Sequence, residues 1–527
     1  MVSSQERRWV IRFALVMLVV TGIPYLIGYA RQGTDWRFTG FVFGVEDGNS
    51  YIAKMLGGEA GAWLFRTPYT AYPQQGLLAF LPYLLLGKLS APPAQHEQLV
   101  VLFHLFRWVS GFLFALASYD FLALFVVDVR LRRLGLALAS MGGGLGWLVL
   151  LGLKTGGYQG LPLEFYSPES FGFLSVYGLP HLAAGRAFLL WGLRAYLGGG
   201  ERRTALRAGL WWLLLGLMQP LTVVVAWTLV GAHLGLSGVL MRLGRVVEDW
   251  GWFRRQLERA LWMGLVSAPL VVYTFVAFRV DPFLSGWEGQ NLILSPPPLD
   301  YLLAYGIVLP FAVKGALAFW RQSNRPALLL VAWAVLLPVL AYAPYNLQRR
   351  LPEGVWVALL ALALKGVESG GGTGWQRARW VLYQGFLPAL LLLLGGGWAA
   401  WQPSVPLFRP ADEVAAFQWL AKEAQPGAVT LTAFETGNAL PAWAPLRVVV
   451  GHGPESVRLA ELKPLVQRFY AGMLTAEDER VLLDELQVRY VFSGPEERKL
   501  GERPGFAQAR LVPVYVRGDY RLWEVVH

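Results

Sequence analysis

The chain has 527 residues, 55% of them hydrophobic, 14% aromatic and only 15% charged, with a mean hydropathy of +0.42. A soluble globular protein carries about 25% charged residues, so the composition excludes an ordinary soluble enzyme and points to a multi-pass membrane protein. Cysteine is absent, which excludes disulfides, thiolate metal sites and a cysteine nucleophile.

The net charge is +11, yet residues 403–527 hold 14 Lys+Arg against 16 Asp+Glu, so the whole excess lies in the first 402 residues. A basic excess confined to apolar sequence reflects topology and anionic lipid, not nucleic acid. Residues 6–30, "ERRWVIRFALVMLVVTGIPYLIGYA", are a basic flank and an apolar run that reads as an uncleaved signal anchor with its N-terminus inside. Residues 31–75 follow as a mostly polar outside loop containing the acidic pair Glu46 and Asp47. "QQGLLAFLPYLLLGKL" is apolar but short and broken by Pro82, which favours an interfacial segment over a crossing.

Further spans are expected near 98–127, 133–153, 178–197, 206–219, 221–240, 259–280, 299–320, 325–343, 352–367 and 379–401. That makes eleven crossings in a mostly α bundle of the cytoplasmic (inner or plasma) membrane, with the C-terminal part outside. Loops placed inside carry 16 Lys+Arg, whereas the longer loops placed outside carry 7, as the positive-inside rule requires. No internal repeat stands out, so an inverted-repeat transporter gains no support.

The membrane domain is expected to end near residue 402. In 403–527, "ADEVAAFQWLAKEA" has helical periodicity, "AVTLTAF", "LRVVVGH", "VRYVFSG" and "RLWEVV" have strand character, and "ERVLLDEL" reads as a helix between two of them. These predict a small soluble α/β domain outside the membrane.

The outside loops carry the candidate chemistry. Loops as long as 31–75 and 154–180 are usually functional, and both are rich in aromatics and proline. The second adds Glu164 and Glu169, with His181 and Arg186 opening the next span, while "PYNLQRRLP" places Arg349 and Arg350 at the membrane surface. A guanidinium fork binds phosphate oxygens in bidentate fashion, a carboxylate can accept the proton of an attacking hydroxyl, and aromatic faces suit sugar rings. Together they suit an anionic, lipid-linked substrate.

"EDGNSYIAKMLGGEAGAWLF" and the following "PYTAYPQQGLLAFLPYLLLGKL" resemble the first outside loop of the polytopic GT-C glycosyltransferases, the superfamily of protein mannosyltransferases and lipid A aminoarabinose transferases. Asp47, Tyr51, Ala53, Gly57 and Gly58 and the 73–88 segment follow the family's order, and "QRRLPEGVWVALLALAL" resembles its late arginine element. The resemblance implies that an outer-leaflet polyprenyl-phosphate sugar lies with its phosphate on Arg349 or Arg350. Asp47, or its neighbour Glu46, deprotonates an acceptor hydroxyl that inverts the anomeric centre. Tyr51, Arg66, His181 and Arg186 become candidates for the substrate cavity. The acceptor is an unspecified glycan, lipid or protein. Some members add a divalent metal, and Asp47 with Glu164 or Glu169 offers oxygen ligands for Mg²⁺ or Mn²⁺, although no compact ligand spacing demands one.

Each feature also has a plainer explanation. Glu46 and Asp47 suit a solvated loop, where neighbours in extended chain point opposite ways. Arg349 and Arg350 suit headgroup anchors. Asp120, inside a span, suits pairing with a basic neighbour. "MGGGLGWL" lacks the features of a nucleotide loop and suits close helix packing. "VVVGHGPES" lies at a strand end, where His452 is a minor ligand candidate. A transporter or flippase for lipid-linked saccharides shares the arginines and aromatics but needs no catalytic acid.

Overall fold

Apolar runs without interior charge fold as helices over most of the first 401 residues. The computed structural model describes residues 2–92, 95–152, 160–199, 202–245, 249–501 and 510–526. Residues 154–159 of the expected second outside loop, and 246–248 of an expected inside loop, fall outside these ranges.

Five helices are long and apolar enough to cross a membrane: Ser4–Arg31, Gln95–Leu122, Pro220–Arg242, Trp250–Val280 and Gly371–Trp401. A sixth crossing results if Pro298–Tyr305 and Leu309–Arg321, bent by 76° at their break, count as one. The eleven expected crossings are not all met by this measure, for physical reasons visible in the helices. The run near 133–153 forms the helix Val129–Met141 and then breaks at Gly142, and those near 325–343 and 352–367 give the 14-residue helices Leu328–Ala341 and Val355–Glu368. At about 1.5 Å per residue, 14 residues span about 21 Å, short of a hydrocarbon core of about 30 Å.

The chain divides into two compact units. The first gathers Met1–Ile23, Phe106–Phe275 and Ile293–Gly395. Its helix Val355–Glu368 is apolar all round and buried accordingly. Gly315 and Gly366 let this helix and Leu309–Arg321 meet backbone to backbone, because a Cβ on Gly315 would lie 1.8 Å from the Leu362 carbonyl oxygen and one on Gly366 2.0 Å from that of Phe311. The glycines of "MGGGLGWL" serve the same end: a Cβ on Gly144 would sit 2.1 Å from the Ala304 carbonyl oxygen. Asp120 pairs with Arg7 at 2.6 Å and with Arg194 at 3.7 Å.

The second unit gathers Pro24–Leu105, Val276–Leu292 and Gly396–His527. Its strands are β1 (Trp36–Phe38), β2 (Phe408–Pro410), β3 (Val429–Leu431), β4 (Arg447–Val448), β5 (Val488–Ser493), β6 (Leu511–Arg517) and β7 (Tyr520–Val525). Strands β1 and β2 pair antiparallel, Trp36 opposite Pro410. The others form one sheet in the order β4-β3-β5-β7-β6, parallel across β4-β3-β5 and antiparallel across β5-β7-β6. The helix Leu459–Tyr470 packs Leu462, Val466, Phe469 and Tyr470 on the sheet's Val429, Leu431, Val488 and Val491. The first loop joins this core through Ala71, and the Val448 N–H donates to the Pro68 carbonyl at 2.8 Å. Four strands lie where the sequence places them; β6 and the helix Leu459–Tyr470 are additions.

Candidate functional site

The acidic pair is not in a loop. Gly44, at φ 59°, ends the preceding turn, and Val45–Glu59 is helical with Glu46 and Asp47 in its first turn. The positive N-terminal end of a helix dipole favours acids there. The expectation that the two point opposite ways along extended chain is therefore replaced by a helical first turn, with both side chains exposed. Glu46 Oε1 accepts the Gly453 N–H at 2.9 Å, and Asp47 Oδ1 lies 3.5 Å from His452 Nε2.

One turn further, on the same helix face, Ser50 and Lys54 are buried. Lys54 Nζ meets Glu455 Oε1 at 2.6 Å and also bonds the Ser50 hydroxyl. Ser50 Oγ donates to Glu455 Oε1 at 2.8 Å, and Thr67 Oγ1 donates to its Oε2 at 2.6 Å. Burial alone would raise the Glu455 carboxyl, but Lys54, His452 and the Thr67 hydroxyl hold it below the usual range. Burial likewise disfavours a charged His452, yet the Glu455 and Asp47 carboxylates outweigh it and raise the imidazole above its ordinary value. A cavity of about 410 Å³ adjoins this loop, lined by Gln290, Gly453, Leu459, Lys463 and Gln467 among others.

Tyr51 is buried, its ring stacked on Tyr83 at 4.6 Å with 5° between the planes. It holds the short helix Leu81–Gly87 against Val45–Glu59. Gly58 and Gly87 permit that contact: a Cβ on Gly58 would lie 2.0 Å from the Leu84 carbonyl oxygen, and one on Gly87 1.8 Å from that of Met55. The family-like order of tyrosine, glycine and interfacial segment is thus a packing arrangement. Arg66 is exposed, beside Thr67.

In the other unit, the turn Gln348–Arg350 presents both arginines. The Arg349 guanidinium lies 4.7 Å over the Tyr166 ring, and Arg350 Nε is 3.5 Å from Glu169 Oε1. Arg186 is only 2% exposed and fully engaged: Nε donates to Glu353 Oε1 at 2.5 Å, Nη1 to the Phe171 carbonyl at 3.0 Å, and Nη2 to the Pro168 carbonyl at 2.7 Å. Arg186 therefore clamps the segment that carries Glu169. Glu164 is buried with Oε1 accepting the Gly146 N–H at 2.6 Å, and burial raises its carboxyl above the ordinary range against that bond. His181 is half-buried at the second residue of the helix Pro180–Leu197.

Of the residues expected from the sequence, one unit brings Glu46 and Asp47 to the Gly451–Ser456 loop, and the other brings Arg349 and Arg350 to Tyr166 and Glu169. Among the described residues no three His, Cys, Asp or Glu side chains are grouped to hold a metal ion. Lys54, Thr67, Glu353 and Glu455 were not anticipated. The signals were a lone lysine four residues after a serine in the apolar "SYIAKML", and an acid three residues after the glycine-flanked His452.

No protein-family model matches the chain, and no curated protein matches it by sequence. Solved structures do. The archaeal oligosaccharyltransferase AglB from Archaeoglobus fulgidus, in complex with an inhibitory peptide and a dolichol-phosphate, matches with a TM-score of 0.56 at 12% identity, over 93% of this chain and 70% of that one. The apo form of the Archaeoglobus fulgidus oligosaccharyltransferase gives 0.57 at 12% identity, over 94% and 71%. ArnT from Cupriavidus metallidurans in the apo state gives 0.48 at 15% identity, over 99% and 98%. The chain has the GT-C fold of the oligosaccharyltransferase.

Proposed function

We propose that this protein is a membrane glycosyltransferase that moves a sugar from a polyprenyl-phosphate donor to an acceptor hydroxyl at the outer face of the membrane. The observation that carries the reading is the Asp47 side chain, 54% exposed at the start of a helix whose Ser50 and Lys54 side chains bond Glu455. Glu46 Oε1 accepts the Gly453 N–H and Asp47 Oδ1 faces His452; Asp47 is assigned the base and Glu46 is its neighbour. The fold it shares with AglB, a protein solved with a dolichol-phosphate, supports a lipid-phosphate donor.

In this reading the acceptor oxygen attacks the anomeric carbon as its proton passes to the Asp47 carboxylate. The bond from the anomeric carbon to the phosphate oxygen breaks, and its electron pair leaves with the polyprenyl phosphate. The anomeric centre inverts. Arg349 and Arg350 are assigned the leaving phosphate, whose negative charge a guanidinium fork neutralises. Tyr166 lies under Arg349 and Glu169 beside Arg350. The cavity at Gly453 offers amides and an ammonium group to a hydroxylated acceptor.

The test is turnover by the purified full chain in vesicles. Polyprenyl phosphates carrying glucose, mannose or galactose serve as donors, cell-envelope extract as acceptor, and release of free polyprenyl phosphate is measured. Release with at least one donor supports the reading. No release with any donor, alongside movement of a fluorescent donor between leaflets, assigns the protein to the flippases instead.

A further inference from the structure

The segment "VVVGHGPES" meets Asp47 through its histidine. Its His452 is 4% exposed, with one edge toward each of two carboxylates: Nε2 is 3.5 Å from Asp47 Oδ1, and Nδ1 is 4.0 Å from Glu455 Oε1. The Tyr69 ring lies 5.3 Å from the imidazole, centroid to centroid.

Glu455 and the loop backbone beside the imidazole are both held by hydrogen bonds. Glu455 is held by Lys54, Ser50 and Thr67. The loop backbone is tied by Ser456 Oγ, which accepts the N–H groups of Gly451 at 3.0 Å and His452 at 3.1 Å. Gln290 Nε2 donates to the carbonyls of Pro454 at 2.9 Å and Ser456 at 2.8 Å. Gly451 sits so close to Gly437 that a Cβ there would come within 2.4 Å of its carbonyl carbon.

Asp47 is an exposed side chain in the first turn of its helix, with Oδ1 toward the His452 ring. General-base catalysis requires the carboxylate oxygen to be within hydrogen-bond reach of the proton it takes, so the orientation of that oxygen matters. We infer that His452 is a positioning residue for Asp47: its buried Nε2 edge, facing Asp47 Oδ1, selects the carboxylate orientation from which the acceptor hydroxyl is deprotonated. The 3.5 Å separation suits a contact that tightens once substrate is bound, as catalytic hydrogen bonds do. The inference rests on the reading of Asp47 as the base.

The experiment compares His452→Phe, which fills the space without a donor, with His452→Gln, which keeps an N–H. Each is made in the full chain with Asp47 intact and with Asp47→Asn, and thermal unfolding confirms folding. The expected result is a loss of at least tenfold in kcat for His452→Phe with donor KM unchanged, substantial recovery in His452→Gln, and no further loss from His452→Phe in the Asp47→Asn background.

Wild-type kcat in a folded His452→Phe overturns the inference, as does an equal further loss in the Asp47→Asn background. If His452→Phe fails to fold, His452→Gln decides alone: kcat within a fewfold of wild type supports positioning through the N–H, and a folded variant as slow as Asp47→Asn contradicts it. An Asp47→Asn variant that transfers at the wild-type rate overturns the reading of Asp47 as base, whatever the His452 variants do.

Discussion

Lys54 Nζ lies 2.6 Å from Glu455 Oε1 across 401 residues of chain, and both side chains are buried. This ion pair ties the helix that carries Asp47 in its first turn to the loop that carries His452. Removing one partner leaves an uncompensated buried charge, which costs about 3–5 kcal/mol. Lys54→Met is expected to destabilise the protein by that order in chemical denaturation, and adding Glu455→Leu is expected to recover most of the loss. A Lys54→Met protein of wild-type stability would show that the pair is dispensable.

The same carboxylate sets a pH dependence. Its pKa is lowered in the folded state, chiefly by Lys54 acting against burial. Its contribution to stability is therefore complete above the ordinary carboxylate range and is lost as pH falls through the lower folded value. The melting-temperature gap between wild type and Glu455→Gln is expected to stay constant at neutral pH and to narrow below about pH 4. A gap that holds at all pH values would remove Glu455 ionisation from the account.

Gly58 and Gly87 let two helices approach at backbone distance. A methyl group at either position overlaps a carbonyl oxygen that cannot move away as a flexible side chain would. Gly58→Ala and Gly87→Ala are each expected to destabilise by about 1–3 kcal/mol, while Gly57→Ala, with nothing within 4 Å, stays near wild type. Thermal unfolding of the three variants checks the order.

The architecture was legible where the signal is local. Long apolar helices, the strands at 429–431, 447–448, 488–493 and 520–525, and the helix at 411–423 all follow from periodicity. Two kinds of feature were not. Helix breaks at Gly142 and at residues 306–308 depend on packing against other helices, so a hydropathy window passes over them. The partners of Asp47 lie about 400 residues away, and Lys54, Thr67 and Glu455 are recognisable only once the fold brings them together. Tyr51 and Arg186 were chosen for their chemistry and proved to be packing and clamping residues, because an aromatic stack and a saturated guanidinium look like any other Tyr and Arg in a sequence.

The two classes of arginine should separate experimentally. Arg350 is about one-third exposed beside Glu169, whereas Arg186 is sealed in. Arg350→Lys is expected to weaken donor binding about 10- to 100-fold, the worth of a charge-assisted hydrogen bond, with an unchanged melting temperature. Arg186→Lys is expected to lower the melting temperature, because one ammonium cannot satisfy the carbonyls of Pro168 and Phe171 and the Glu353 carboxylate together. Donor KM and thermal unfolding of both variants provide the check.

The most direct measurement compares sugar transfer by wild type and Asp47→Asn in vesicles, with donor binding measured on the same samples. Asn keeps the shape of the side chain and cannot take a proton, so kcat is expected to fall by about 10²–10⁴ while donor binding is retained. Transfer by Asp47→Asn at the wild-type rate would contradict the account and move the base to another residue.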